Sequence, residues 1–172
     1  FVGAKINSIK YPGLGVIEAN SIAKNKKACI GNILIPEREN EADRLIGKTV
    51  SGCTFFTTQI LFEPKKIIKI LKDYSAECLA SGLKPAKIFL SFAPVSSLDD
   101  ISFIKWLGAE IQETTEKRLR DAKNIESEST SLVVESLHEI FEYVEKNNVS
   151  VPLGLNFEYL TLLNLELAGN LV

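Results

Sequence analysis

The sequence predicts an α/β fold in which short parallel strands alternate with covering helices. Short apolar runs recur along the chain, and most are followed by a segment with helical periodicity. The runs lack polar alternation, which is typical of strands buried on both faces of a parallel sheet. The predicted strands are Phe1 to Ala4, Ala28 to Ile35, Thr54 to Phe62, Lys87 to Phe92 and Val151 to Phe157.

Turn and capping residues bound the predicted helices. Pro64 opens a helix that runs to about Ser81, and Gly82 lies just past its end. Ser97 is a favourable N-cap for a helix that runs to about Leu107. The other predicted helices are Val16 to Lys24, Glu39 to Val50, a short one from Thr114 to Ala122 followed by a loop, Val133 to Lys146, and Tyr159 to Leu171.

Five strand–helix units fit two architectures. One is a doubly wound open sheet, and the other is part of an α/β barrel, which needs eight units and about 250 residues when complete. A chain of 172 residues can therefore hold only part of a barrel. The chain contains no methionine and begins with Phe1, which we interpret as a sign of processing or of a longer protein. We treat residues 1–172 as a single domain.

Composition and charge exclude several classes of protein. The chain has 20 Lys and Arg against 22 Asp and Glu, so it lacks the basic balance of a nucleic-acid-binding protein. No apolar run approaches the roughly 20 residues that span a bilayer. The three cysteines form no CxxC pair and are odd in number, which argues against a disulfide framework or a zinc site and favours a reducing cytoplasm.

Candidate functional residues are sought where the strands end, because both architectures bind ligands beyond the carboxyl ends of their strands. Gln59 is the most distinctive of these, since a buried amide must find hydrogen-bond partners or cost roughly 1–3 kcal/mol. It is interpreted equally well as a structural contact to a neighbouring loop or as a ligand contact. Trp106 is interpreted as a core residue or a lid anchor rather than as a stacking platform, and His138 as a partly exposed helix residue.

Several strand-end motifs together resemble the methylenetetrahydrofolate reductase family. The stretch Ile35-Pro36-Glu37, a helix holding Lys48, and Gly52-Cys53-Thr54-Phe55-Phe56-Thr57-Thr58-Gln59 resemble its central region. Ala93-Pro94-Val95-Ser96, Leu155-Asn156 and Tyr11-Pro12-Gly13 resemble its other strand-end loops. The match runs through nearly the whole chain in order and spacing.

This resemblance implies a (β/α)8 barrel of which the chain holds strands four to eight. The family reduces 5,10-methylenetetrahydrofolate by hydride transfer through FAD. By position, Gln59 would contact the pterin, Asn156 would lie on the substrate side, and Lys48 and Asp43 would contact the flavin. The catalytic acid would belong to strand one, outside the chain. The expected ligand is a small folate or pterin. A homo-oligomer or a complex with a partner subunit is also considered, and no metal is expected.

An alternative function is a barrel-derived binding domain or partner subunit without reductase activity. Two positions that depart from the family pattern favour it. Ala4 stands where the family has Asp, and Phe157 stands where it has Arg.

Overall fold

A computed structural model describes residues 13–160 and 165–171. These residues form seven helices and four strands in an alternating order. The helices are α1 (Val16–Asn25), α2 (Glu41–Val50), α3 (Pro64–Ala80), α4 (Leu98–Trp106), α5 (Glu113–Asp121), α6 (Ile125–Lys146) and α7 (Leu165–Gly169). The strands are β1 (Gly31–Leu34), β2 (Phe55–Thr58), β3 (Lys87–Phe92) and β4 (Leu153–Phe157).

The four strands form one parallel sheet in the order β1-β2-β3-β4. This confirms the predicted parallel α/β fold. The order follows the chain without reversal among the described strands, so it is compatible with part of a (β/α)8 barrel, whereas a doubly wound sheet reverses its order at a switch point. The predicted first strand, Phe1 to Ala4, lies outside the described residues.

The two faces of the sheet differ in burial, and the prediction of strands buried on both faces is wrong. On one face Leu34, Phe56, Ile88 and Leu90 are completely buried beneath the helices. The residues between them are mostly half-buried, because the helices of the described chain cover only one face of the sheet. Strand β4 is the least covered, with Leu155 42% exposed.

A buried polar network ties β1 to the helices on either side of it in sequence. The side-chain amides of Asn20 on α1 and Asn32 on β1 exchange hydrogen bonds of 2.7 and 3.1 Å. Asn20 also donates to the Ser51 hydroxyl at 2.9 Å, and Ser51 donates to the Lys48 carbonyl at 2.7 Å. Both asparagines are almost inaccessible to solvent. The network therefore fixes α1, β1 and the end of α2 relative to one another.

A second apolar cluster lies over the carboxyl ends of β2 and β3. Its buried members are Ile60, Ala93, Val95, Ile101, Ile104, Ala109, Ile111 and Leu119. Two polar contacts hold the loop after β3 in this cluster: Asp100 accepts from the backbone N–H of Ser96 and Ser97, and the Ser129 hydroxyl accepts from the Val95 N–H at 2.8 Å. The loop that closes β3 is thus tied to both α4 and α6.

Helix α6 is longer than the sequence pattern predicts. Only residues 122–124 separate α5 from α6, so the predicted loop after Ala122 is short. The Asn124 side chain caps α6 by accepting from the Ser127 N–H at 3.0 Å. The predicted start at Val133 is wrong because Ser129, a small polar residue, takes the buried position one turn before Val133. Small polar residues at buried positions hid the helical periodicity.

Within the described ranges, none of the helices is both long and apolar enough to cross a membrane.

Candidate functional site

The carboxyl ends of β2 and β3 are joined by one hydrogen bond to a side chain and one between backbone groups. The Thr58 hydroxyl accepts from the Ser91 N–H at 2.8 Å, and the Leu61 N–H donates to the Ser91 carbonyl at 2.9 Å. Between these contacts Gln59 is half-buried, and its Nε2 donates to the Leu107 carbonyl at 3.2 Å. This hydrogen bond is the structural contact to a neighbouring loop that was one of the two interpretations of Gln59. Among the described residues its Oε1 accepts no hydrogen bond, so the amide keeps one acceptor for a ligand.

Asn156 lies on β4 next to Ser91, with which it is paired in the sheet register. Its Nδ2 donates to the Ser91 hydroxyl at 3.0 Å and to Glu158 Oε1 at 2.9 Å. Both amide protons are thus engaged, whereas no donor reaches Oδ1 within the described part of the chain. Gln59 and Asn156 lie two strands apart, which at the usual strand spacing is about 10 Å. The two predicted substrate residues therefore frame the same edge of the sheet.

Two phenylalanines line the open face of the sheet towards its amino-terminal end. Phe55 and Phe89 contact each other edge to face, with ring centroids 5.9 Å apart. Each lies over a glycine of the adjacent strand, and a Cβ on Gly31 or Gly154 would come within 2.2 Å of Phe55 or 2.7 Å of Phe89. The glycines leave room for the two rings, so the open face is apolar here and polar at its carboxyl edge.

Lys48 is committed to contacts within the chain. Its Nζ donates to the Ile33 carbonyl at 2.8 Å and lies 3.4 Å from Glu41 Oε1, which also accepts from the Ile35 N–H at 3.2 Å. The Glu41 side chain is 0% exposed and that of Lys48 is 10% exposed. Burial lowers the pKa of Lys48, and Glu41 opposes that shift. The ion pair attaches α2 to the end of β1.

Asp43 lies on a different side of α2 from Lys48. It is exposed and lines a cleft of about 600 Å³ between α2 and α3, together with residues such as Lys69, Asp73 and Glu77. Lys48 is not among the residues lining this cleft. The two residues predicted to contact the flavin therefore do not converge on one space, and neither joins Gln59 and Asn156.

The sequence assigned Glu37 no role beyond its place in the Ile35-Pro36-Glu37 motif. It is half-buried in the loop after β1, and its Oε2 is buried without a hydrogen-bond partner among the described residues. Burial raises the pKa of this carboxyl, and the charge of nearby Lys66 partly offsets the rise. The Pro36-Glu37 pair directly after a predicted strand was the signal that could have singled it out.

The core interpretation of Trp106 is wrong, because its side chain is 78% exposed. It stacks on Phe103, with centroids 5.8 Å apart and an interplanar angle of 16°. His138 is exposed on α6, in agreement with its interpretation. Over residues 13–160 and 165–171, no group of three or more His, Cys, Asp or Glu side chains is arranged to hold a metal ion.

A solved structure shares this architecture. It is an uncharacterized protein from Clostridium thermocellum that binds two copies of 5-methyl-5,6,7,8-tetrahydrofolic acid. It is similar to this chain over 92% of the chain, with a TM-score of 0.81 and 28% sequence identity. The chain spans 57% of the length of that protein. In all, 59 chains of known structure match this one.

No family model matches the chain, and no curated protein matches it. The likeness to methylenetetrahydrofolate reductases therefore rests on the strand-end motifs.

Proposed function

We propose that this chain binds a reduced folate at the carboxyl edge of its sheet, as part of a protein resembling the methylenetetrahydrofolate reductases. The observation that carries the proposal is the similarity to a protein that binds 5-methyltetrahydrofolate. The sequential parallel strands support the idea that the chain is strands four to eight of a barrel.

The amides at this edge have the chemistry that a pterin needs. A pterin ring presents N–H donors along one edge, and Gln59 Oε1 and Asn156 Oδ1 are acceptors that other described residues leave open. The remaining atoms of both amides are held by Leu107, Ser91 and Glu158, which limits their rotation. An acceptor fixed in advance loses little conformational entropy when a ligand binds.

Flavin-dependent reduction is the second candidate, and the order of the strand-end motifs favours it. When bound, FAD would supply the hydride. The residues assigned to it fit poorly, since the Lys48 ammonium already pairs with Glu41 and Asp43 lies in the outer cleft. We therefore place folate binding first and expect FAD, if it binds, to use other residues of the complete protein.

Calorimetric titration with 5-methyltetrahydrofolate tests the proposal. Gln59→Leu removes the acceptor and should weaken binding by about 1–3 kcal/mol, which is roughly 5- to 150-fold. Gln59→Glu keeps an acceptor oxygen but loses the bond to Leu107, so it should lower stability more than affinity. Gln112→Leu, at an exposed glutamine that begins α5, is the matched control.

The outcomes separate the two interpretations of Gln59. A Gln59→Leu variant that melts earlier but binds folate like the wild type would make Gln59 purely structural. Absence of folate binding by the wild-type chain would refute the proposed function. For the second candidate, the chain is mixed with FAD and desalted, and a visible flavin absorption band in the protein fraction would support flavin binding.

A further inference from the structure

Helix α4 has two apolar faces, and the described chain covers only one of them. Ile101 and Ile104 are buried in the cluster over the strand ends. Phe103, Trp106 and Leu107 lie on the other side and are exposed. Apolar side chains that gather on an exposed face often mark a contact surface. The second face of α4 is therefore a candidate contact surface.

The carboxyl-terminal end of α4 contacts the proposed folate site. Leu107, whose carbonyl accepts from Gln59 Nε2 at 3.2 Å, directly follows Trp106. Phe103 and Trp106 are stacked nearly parallel and are both exposed, so a further aromatic ring could continue the stack on an outer face. This surface differs from ordinary scattered surface apolar residues because it is aromatic, ordered by its own stacking, and placed at the edge where the strands end.

We propose that the Phe103–Trp106 pair is a stacking surface for an aromatic ring of a bound folate. This inference rests on the proposed function and names residues that would contact the ligand. A folate carries two flat ring systems, a pteridine and an aminobenzoyl group, and flat rings gain most by offset stacking on another ring. The similar protein from Clostridium thermocellum binds two copies of 5-methyltetrahydrofolate, and a folate is therefore the ligand that we expect on this aromatic surface.

Intrinsic fluorescence reports on this surface directly, because Trp106 is the only tryptophan in the chain. Before ligand is added, the exposed indole should emit like a solvated tryptophan and be quenched readily by acrylamide. Saturation with 5-methyltetrahydrofolate should reduce the acrylamide quenching constant. Calorimetry on Trp106→Leu and Phe103→Leu should give about two- to tenfold weaker binding than the wild type. Phe141→Ala, at an exposed aromatic residue on α6, is the matched control.

Each result supports or overturns the inference. Weaker binding by both variants, with the Phe141→Ala control unchanged and melting temperatures preserved, supports it. Wild-type affinity in Trp106→Leu overturns the stacking surface and leaves the proposed folate function standing. A Trp106 that is shielded from acrylamide before ligand is added would mean that another protein surface, such as a second copy of the chain, covers α4, which also overturns the inference. Absence of folate binding by the wild type refutes both proposals.

Discussion

The buried pair of Glu41 and Lys48 gives the sharpest prediction about stability. Glu41→Gln should strongly destabilise the protein, because it leaves the Lys48 ammonium in a site that is only 10% exposed, with the Ile33 carbonyl as its remaining close partner. Removing one member of a buried ion pair costs about 3–5 kcal/mol. For a chain of this length, each kcal/mol corresponds to roughly 2–4 °C, so the melting temperature should fall by about 6–20 °C.

Two further variants isolate the cause. Asp43→Asn removes an exposed acid from the same first turn of α2, so it measures the helix-dipole contribution alone, about 0.3–1 kcal/mol. The double variant Glu41→Gln/Lys48→Met removes both charges, and it should be more stable than Glu41→Gln because no uncompensated charge stays buried. Thermal and urea unfolding of all the variants measure these differences.

The dependence on pH has a definite sign. Burial lowers the pKa of Lys48 in the folded state below 10.5, its ordinary value. Between the folded and the unfolded pKa, the unfolded chain therefore binds more protons than the folded chain. The free energy of unfolding should rise with pH over that interval. The rise should be steeper in Glu41→Gln, because the carboxylate that raises this pKa is gone. A Glu41→Gln variant that loses no more stability than Asp43→Asn would refute the reasoning. Flavin binding abolished in Lys48→Met without loss of stability would refute it too.

Two further predictions concern buried polar groups. Asn20→Leu should cost about 1–3 kcal/mol in urea unfolding, because Asn32 and Ser51 lose a buried partner, and adding Asn32→Leu should recover part of that loss. A double variant less stable than Asn20→Leu would contradict this. Glu37→Gln should raise the melting temperature at neutral pH, because a carboxyl whose pKa is raised by burial stays charged there at a cost to the folded state. The gain should vanish below pH 4.5, where the carboxyl is protonated in both states, and a gain that persists there would point to another cause.

The elements that could be predicted from the sequence are those whose apolar residues alone define a face. Strand β3 matches its predicted bounds, and α3 ends one residue before its predicted end, because Pro64 and Gly82 mark its limits. The start of α6 could not be predicted in this way. Ser129 occupies a core position there because its hydroxyl satisfies the Val95 N–H, a long-range contact that no local pattern contains.

The site was predicted less completely for the same reason. Gln59 and Asn156 could be placed at one edge of the sheet because strand order brings strand ends together regardless of side-chain detail, and their role in binding stays a prediction. Lys48 was assigned to the flavin, yet it lies seven residues from Glu41, two turns along one face of α2, and this spacing allows an internal ion pair. Trp106 was interpreted as a core residue or a lid anchor, the first because large aromatic side chains usually are buried. Only the three-dimensional structure reveals that Ile101 and Ile104 already fill the core beneath α4.

The buried polar contacts together explain how short strands can position a site. Strand β1 has four residues and pairs with β2 alone among the described strands, so its ladder provides few hydrogen bonds. Asn32 fixes it to α1, and Lys48 and Glu41 fix its last residues to α2. Asp100 fixes the loop after β3 in the same way. These polar groups hold the backbone in place through hydrogen bonds within the protein, whereas the amide oxygens of Gln59 and Asn156 accept none from the described residues. A preorganised binding site needs both kinds of group: polar side chains that hold the backbone in place, and acceptors that remain available to a ligand.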